Sequence, residues 1–224
     1  MPGTLYIIAT PIGNLDDVTP RAIATFKSLD LLLCEDTRVT GRLLQRYDCK
    51  VPMEPYREDA HFKKVSRVVA LLKEGKTIGL ASDAGTPGIA DPGYRLVRDV
   101  LAAAPDTIVI PIAGPSAVAT ALSASGLPAD QFVFLGFPPH KKGRNAFFKE
   151  AMSQDHTVVL YESTHRIEKA LDAIGALDPK RYLVVARELT KLHETFYRGN
   201  AGVVREMLEK TSTKGEFVVM IAAQ

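Results

Sequence analysis

The stretch SDAGTPGIADPGYRLV, residues 82–97, lies between an apolar run and a segment of helical periodicity, and it concentrates glycine and proline. Glycine permits positive φ and close approach of the backbone, and proline holds φ, so such a cluster after a strand often shapes a loop around a ligand. A plain surface turn can have the same composition. The rest of the chain has to decide between these two interpretations.

Short apolar runs rich in β-branched residues alternate with helical patterns along all 224 residues, which indicates an α/β fold with parallel or mixed sheets. The predicted strands lie near 5–9, 29–34, 77–81, 107–112, 132–136, 157–161, 182–186 and 216–222. The predicted helices lie near 20–28, 39–47, 60–74, 93–104, 116–125, 144–153, 165–176 and 201–210. The turn PIAGPSA at 111–117 divides the chain into two α/β domains, residues 1–113 and 114–224, which we expect to pack around a cleft.

Local signals mark several helix ends. Thr19–Pro20 and Asp91–Pro92 each have the pattern of an N-cap residue followed by proline at the first helical position. Gly75 and Gly126 stand where two of the predicted helices should stop. These four positions therefore test the predicted helix boundaries.

Composition and missing motifs exclude several classes of protein. The longest apolar runs (LYIIA, DLLLC, TIVIPI and FVVMIAA) are far shorter than a bilayer-spanning helix, and no charged region follows Met1, so we expect an unexported, cytoplasmic protein. Cys34 and Cys49 match no redox or zinc spacing and are expected to be reduced thiols. The motifs GxxxxGK[ST], HExxH and GxSxG do not occur, and no GxGxxG follows a strand. The sequence therefore predicts no Rossmann, P-loop or metal site.

In the first half of the chain, a loop rich in glycine and proline or in charged residues follows each of four predicted strands. These loops are ATPIGNLDDVTPRA (9–22), CEDTR (34–38), SDAGTPGIADPG (82–93) and IAGPSA (112–117). Ligands of open α/β sheets bind at the carboxyl ends of the strands, so we expect these loops to converge on one pocket. Glu35, Asp36 and Arg38 directly follow an apolar run, where charges have either a functional task or an internal ion pair.

The densest basic segment is PPHKKGRNAFFK, residues 138–149. These charges are typical either of a contact with RNA or of a solvent-exposed start of a helix. The net charge of the whole chain, +2, is too small to distinguish the two interpretations.

The four loops, together with LYESTHRI (160–167), VVARELTKLHETFYRG (184–199) and KGEFVVMIA (214–222), resemble the tetrapyrrole methylase family of class III methyltransferases. They are most similar to the branch that methylates the 2′-oxygen of a cytidine ribose in 16S ribosomal RNA. The resemblance spans essentially the full chain. It implies an S-adenosylmethionine site in a cleft between two α/β domains, a homodimer, and a substrate within the small ribosomal subunit.

The resemblance also implies roles for individual residues. Asp83 would pair with the methionine ammonium group of the cofactor, and a helix cap is the alternative role for Ser116. The implied cofactor-binding residues are Pro11, Asp83, Gly85, Thr86, Pro87, Gly88, Ile89, Gly114, Pro115, Ser116, Tyr161 and Glu162. The implied catalytic residues are Glu35, Arg38, Glu188 and Lys191, and the implied RNA-binding residues are Arg21, Lys141, Lys142, Arg144, Arg166 and Arg187.

Several alternatives stay open at the level of sequence. Glu188, Lys191 and Glu35 are unranked candidates for accepting the proton of the ribose hydroxyl, because the choice depends on distances. A methylase of a small substrate such as a tetrapyrrole precursor, and a non-catalytic sensor of an adenosyl ligand, are the competing functions. The basic segment, together with arginines scattered elsewhere along the chain, favours RNA over a tetrapyrrole precursor as the substrate. The intact charged loops argue against a non-catalytic sensor.

Overall fold

The computed structural model describes residues 2–56 and 61–224, and it divides into two compact units, Met1–Ser116 and Ala117–Gln224. Each unit has one sheet with helices packed on it, so the predicted α/β class is confirmed. The predicted boundary between 113 and 114 lies close to this division. The cleft expected between the two domains stays a prediction.

The first unit is built on a parallel sheet. Its strands are β1 (Thr4–Ile8), β2 (Leu31–Cys34), β3 (Met53–Pro55), β4 (Thr77–Ala81) and β5 (Ile108–Ile112). Its helices are α1 (Pro20–Ser28), α2 (Thr37–Arg46), α3 (His61–Lys73) and α4 (Gly93–Ala103), with a short 3₁₀ turn at Leu15–Asp17. The described strands lie in the order β3-β2-β4-β1-β5 and all run parallel, so their carboxyl ends share one edge.

Helices cover both faces of this sheet, which explains why its strands are apolar at nearly every position. Leu33 on one face packs with the core beneath α3 and α4, whereas Leu32 on the other face packs with the core beneath α1 and α2. All four residues of β2 are buried as a result.

The second unit has a mixed sheet. Its elements are α5 (Ala117–Ser123), β6 (Phe132–Gly136), α6 (Arg144–Met152), β7 (Thr157–Ser163), α7 (Ile167–Leu177), β8 (Leu183–Arg187), β9 (Thr195–Gly199), α8 (Ala201–Thr211) and β10 (Glu216–Ile221). The described strands lie in the order β6-β7-β10-β8-β9, and only β6 and β7 pair in parallel. Phe217 of β10 lies opposite Glu162 of β7 and Arg187 of β8. Opposed residues share a face, so Glu162 and Arg187 lie on the face where Phe217 joins the core.

Three of the four helix-end signals are confirmed. The Thr19 hydroxyl accepts a hydrogen bond from Ala22 N at 3.1 Å as α1 begins. Gly75 and Gly126 have φ of +81° and +79°, the left-handed conformation that ends a helix. The prediction for Asp91 is off by one residue, because α4 begins at Gly93 with Pro92 at the cap position, but the Asp91 carboxylate still accepts a hydrogen bond from Gly93 N at 2.7 Å.

Two strands were not predicted from the sequence. β3 has only three residues and ends in proline, and β9 follows its neighbour β8 after a tight, charged loop. The predicted start of the third helix near residue 60 lies outside the described residues, and α3 is described from His61 onward. Within residues 2–56 and 61–224, no helix is long and apolar enough to cross a membrane.

Candidate active site

The loops that follow β1 and β4 are joined backbone to backbone at the carboxyl edge of the first sheet. Thr10 N donates to Gly85 O at 2.9 Å, and Gly85 N donates to Thr10 O at 3.1 Å. The buried Thr10 hydroxyl also donates to Ser82 O at 3.0 Å. Long-range contacts therefore hold these two loops in one arrangement.

The loops that follow β2 and β5 are attached to the same group. Asp36 N donates to Asp83 Oδ1 at 3.0 Å, which links the loop after β2 to the loop after β4. The Thr86 hydroxyl donates to Pro115 O at 3.2 Å, which links the loop after β4 to the loop after β5. The convergence of these four loops, expected because each follows the carboxyl end of a predicted strand, is present within the first unit.

The glycines of these loops meet distinct backbone requirements. Gly85 and Gly88 have φ of +80° and +86°, which residues other than glycine rarely adopt. Gly114 has no such torsion, but a Cβ there would lie 3.0 Å from the Cβ of Ala9. Asp91 Oδ1 accepts hydrogen bonds from Gly88 N at 2.8 Å and from Gly93 N at 2.7 Å. This carboxylate therefore binds the first N–H group of α4, as the sequence suggested, and also fixes the preceding loop through Gly88.

The converged loops suit the cofactor that the resemblance implies. They offer close approach to backbone at the glycines and one oriented carboxylate, Asp83, which could pair with an ammonium group. A Cβ at Gly85 would lie 3.5 Å from Ile12 Cγ2 and 3.9 Å from Pro115 O. A side chain at this position would therefore narrow the space between the loops after β1, β4 and β5. Pro11 and Pro87 belong to the same loops, and Ile89 is exposed beside them.

Glu35 has the strongest electrostatic perturbation in this group of loops. Burial raises the pKa of Glu35 to about 7, and the neighbouring carboxylates of Asp83 and Asp91 add to the rise, while a hydrogen bond with the Asp83 backbone opposes it. A carboxyl group with this pKa exchanges its proton near neutral pH, as a general base must.

Arg38 is differently placed. Its guanidinium pairs with Asp36 at 2.6 Å, and the same carboxylate caps α2 by accepting from Arg38 N at 2.8 Å. The Arg38 side chain is 83% exposed. The internal ion pair considered for this segment is therefore real, and a catalytic role for Arg38 stays a prediction.

A buried ionic cluster lies at the end of β7 in the second unit. The Glu162 side chain is 0% exposed and pairs with Arg144 at 2.8 Å and Arg166 at 3.1 Å. Both arginine side chains are largely buried, whereas Lys141 and Lys142 in the preceding loop are exposed. The structure thus separates the predicted RNA-binding residues of this region into two inner arginines and two outer lysines.

A second charged cluster follows β8, in a loop with unusual backbone torsions. Glu188 and Thr190 have φ of +51° and +64°, which are uncommon for residues other than glycine. Lys191 Nζ donates to Glu188 Oε1 at 3.0 Å and to Glu216 Oε2 at 2.9 Å. Burial opposes the charged ammonium, but the hydrogen bonds that it donates to Glu216 and Glu188 outweigh burial and raise the pKa of Lys191.

The remaining predicted residues are scattered. Arg187 is buried and its Nε donates to Lys214 O at 2.7 Å, so it supports the start of β10. Tyr161 packs edge-on to Phe134 with ring centroids 4.9 Å apart, and burial raises the pKa of its hydroxyl. Arg21 is exposed on α1.

Sequence reasoning missed several residues that organise these clusters. Thr10 and Glu216 had ordinary sequence surroundings, and their importance comes from partners 75 and 28 residues away. Asp91 was expected at the start of α4, but its second hydrogen bond, from Gly88 N, was not. A buried polar residue directly after an apolar strand, as at Thr10, is the one signal that could have found the first of them.

Comparison with known proteins places the chain in a defined group. It matches the family model for Tetrapyrrole (Corrin/Porphyrin) Methylases over residues 4–204. It is 43% identical over 222 residues to ribosomal RNA small subunit methyltransferase I of Synechocystis sp., covering 98% of this chain and 79% of that protein. It is 39% identical over 222 residues to the protein of that name from Thermotoga maritima, covering 99% of each. The structure of uroporphyrin-III-C-methyltransferase from Thermus thermophilus matches with a TM-score of 0.69 at 17% identity, over 98% of this chain and 94% of that one, which shows a common fold.

Proposed function

The chain belongs to the tetrapyrrole (corrin/porphyrin) methylase family, and on this premise we propose that it is an S-adenosylmethionine-dependent methyltransferase of small-subunit ribosomal RNA. The observation that carries this proposal is the identity of 39% and 43% over nearly the whole chain with two relatives named for that RNA. The likeness to a porphyrin enzyme, at 17% identity, supports the fold alone. We further propose that the acceptor is the 2′-oxygen of a cytidine ribose in 16S ribosomal RNA.

The loops after β1, β4 and β5 would hold the cofactor. Asp83 would pair with its ammonium group, and the backbone around Gly85, Gly88 and Gly114 would allow close contact. When bound, S-adenosylmethionine supplies a methyl group on a sulfonium that is already a leaving group. The protein's task is then to orient the acceptor oxygen and to receive its proton.

Glu35 is the proton acceptor that the structure favours. The pKa of Glu35, about 7, lies near the operating pH, where general bases are most effective. Lys191 has a raised pKa and stays protonated between two carboxylates. Burial works to raise the pKa of Glu188, but hydrogen bonds from the Glu216 backbone and Lys191 lower it, so this carboxylate is a weak base. Glu188 and Lys191 would then orient the acceptor ribose in the transition state.

Labelled S-adenosylmethionine tests the proposed function directly. The protein is incubated with 16S ribosomal RNA, with assembled small subunits, or with a tetrapyrrole precursor, and the modified nucleotide is mapped. We expect label in RNA and none in an RNA with deoxycytidine at the mapped position, because only the 2′-hydroxyl is missing there. Label in the deoxy substrate would disprove 2′-O-methylation, and label only in the tetrapyrrole would replace RNA as the substrate.

We also propose that the protein works in the cytoplasm as a homodimer. Exposed apolar side chains of the first unit support a self-association surface: Ile89, Tyr94, Leu101 and Ile108 are 40–52% exposed. Tyr94 and Leu101 are seven residues apart on α4 and so share a face. Sedimentation should give a dimer that Leu101→Glu dissociates and that Leu177→Glu, a change at an exposed leucine of the second unit, does not. A wild-type monomer at micromolar concentration would refute the dimer.

A further inference from the structure

We propose that Glu162 is a positioning residue whose buried carboxylate braces Arg144 and Arg166 and thereby presents Lys141 and Lys142 to RNA phosphates. The inference rests on the proposed function, since it assumes an RNA substrate. It gives Glu162 a task different from the cofactor contact that the resemblance implied.

Both oxygens of the Glu162 carboxylate are occupied within the second unit. Oε2 accepts from Arg144 Nη2 at 2.8 Å. Oε1 accepts from Ser163 N at 2.8 Å and pairs with Arg166 Nε at 3.1 Å. With the side chain fully buried, a cofactor ammonium would have to displace an arginine to reach it. The carboxylate is therefore committed to the protein itself.

The two arginines connect this carboxylate to the loop that carries the lysines. Arg166 Nη1 donates to Pro138 O at 3.2 Å, and Arg144 Nη1 donates to Pro139 O at 3.4 Å. The Arg144 guanidinium also stacks 5.1 Å from the Phe148 ring centroid. The residues 138 and 139 at the base of the loop are thus tied to the end of β7 through one buried anion.

The local charge balance leaves a positive surplus beneath the loop. One carboxylate faces two guanidinium groups, which are only 13% and 17% exposed and are poorly placed to contact phosphate themselves. Gly143, with φ of +88°, turns the chain into α6, and Lys141 and Lys142 before it are exposed. A rigid loop with exposed lysines over a positive base suits the closely spaced phosphates of RNA, because ordering it costs less entropy on binding.

Glu162→Gln tests the brace. The double variant Glu162→Gln/Arg144→Gln removes one negative and one positive charge, so it keeps the net charge of the cluster. It replaces the single variant in the experiment if the single variant unfolds. Asp178→Asn is the matched control. Asp178 also pairs with a buried arginine, Arg181 at 3.1 Å, but this pair lies just before the start of β8 and away from the lysine loop. Four measurements are made: tryptic cleavage after Lys141 and Lys142, RNA affinity against salt, the KM for RNA and kcat of methyl transfer, and cofactor affinity by calorimetry.

We expect cleavage in the loop at least fivefold faster in the Glu162 variants than in wild type or the control. The KM for RNA should rise at least fivefold, and the log–log salt slope should fall by about 0.7–0.9 for each phosphate that the lysines no longer neutralise. The kcat at saturating RNA and the cofactor Kd should change less than twofold. Since proteolysis needs no RNA, faster cleavage without any RNA binding by wild type would refute the proposed function and leave the brace standing.

Two results would overturn the brace. One is unchanged loop cleavage with weakened cofactor binding, which would make Glu162 a cofactor ligand. The other is unchanged cleavage and RNA affinity in both Glu162 variants.

Discussion

Thr10 and Gly85 exchange both of their backbone hydrogen bonds, at 2.9 and 3.1 Å, across 75 residues of chain. This pair turns two separate loops into one surface at the carboxyl edge of the first sheet. Gly85 can take part only because its φ of +80° is available to glycine at little cost. The loops proposed to hold the cofactor therefore depend on a position where other residues are strained.

Replacing this glycine should separate cofactor binding from stability. Gly85→Val and Gly126→Val both place a side chain at nearly equal φ, +80° and +79°, and each should cost about 1–2 kcal/mol of unfolding free energy. Gly126 has nothing within 4 Å of the added Cβ and lies outside the cofactor loops. Calorimetry should show at least tenfold weaker cofactor binding in Gly85→Val alone. Equal affinities would remove the pocket from these loops.

The raised pKa of Glu35 makes a signed prediction about stability. Folding favours the protonated form, so this stabilisation is present below the ordinary pKa of 4.5 and is lost as pH rises through about 7. Glu35→Gln should therefore gain unfolding free energy relative to wild type between pH 5 and pH 8 in urea titrations. Glu206→Gln, at a carboxylate whose pKa is lowered by Lys210, should show no such gain. A Glu35→Gln difference that is constant with pH would contradict the assignment.

Lys142 should act on RNA affinity rather than on the reaction. Lys142→Ala removes an exposed charge, and if that charge neutralises a phosphate the log–log salt slope of RNA binding should fall by about 0.7–0.9. Cofactor affinity should not change. Lys180→Ala, at an exposed lysine before β8, is the control and should leave the slope as in wild type. An unaltered slope in Lys142→Ala would remove this loop from the RNA interface.

Lys191 should show the opposite behaviour. Its ammonium is held by Glu188 and Glu216 in a loop with positive φ. Because we propose that this fixed ammonium acts on the reacting ribose in the transition state, Lys191→Ala should reduce single-turnover rates at least tenfold. RNA affinity should change less than twofold. Lys210→Ala breaks a surface pair with Glu206 and should leave both quantities unchanged. If Lys191→Ala and Lys142→Ala gave the same salt and rate profiles, the two loops would not have separate tasks.

Gly79 in the centre of β4 should be intolerant of any side chain. An added Cβ would lie 2.5 Å from Leu29 Cδ1 and 3.0 Å from Leu32 Cδ1, so Gly79→Ala should lose about 1–3 kcal/mol by overpacking. Gly41→Ala in α2 meets only Met53 Cε at 3.7 Å and should be neutral or gain up to about 1 kcal/mol of helix propensity. Urea unfolding of both variants checks the sign, and a stable Gly79→Ala would show that the sheet relaxes there.

Much of the secondary structure was predictable because its signals are local. The apolar run of β2, the cap at Thr19 and the left-handed glycines at 75 and 126 each act within a few residues of chain. The same holds for the position of the loops, since they follow strands whose carboxyl ends share an edge in a parallel sheet. The family resemblance then supplied the proposed roles of the individual loop residues.

Local sequence signals predict most of the α/β elements, their boundaries to within a few residues, and the loops that carry the candidate site. The long-range partners became visible in the folded structure: Gly85 for Thr10, Arg144 for Glu162, and the carboxylates of Asp83 and Asp91 beside Glu35. The difference lies in the distance along the chain over which each interaction acts. Periodicity and capping act between neighbours in the chain, whereas the partner and pKa of a buried charge depend on distances to groups tens of residues away, which exist only once the sheets have formed.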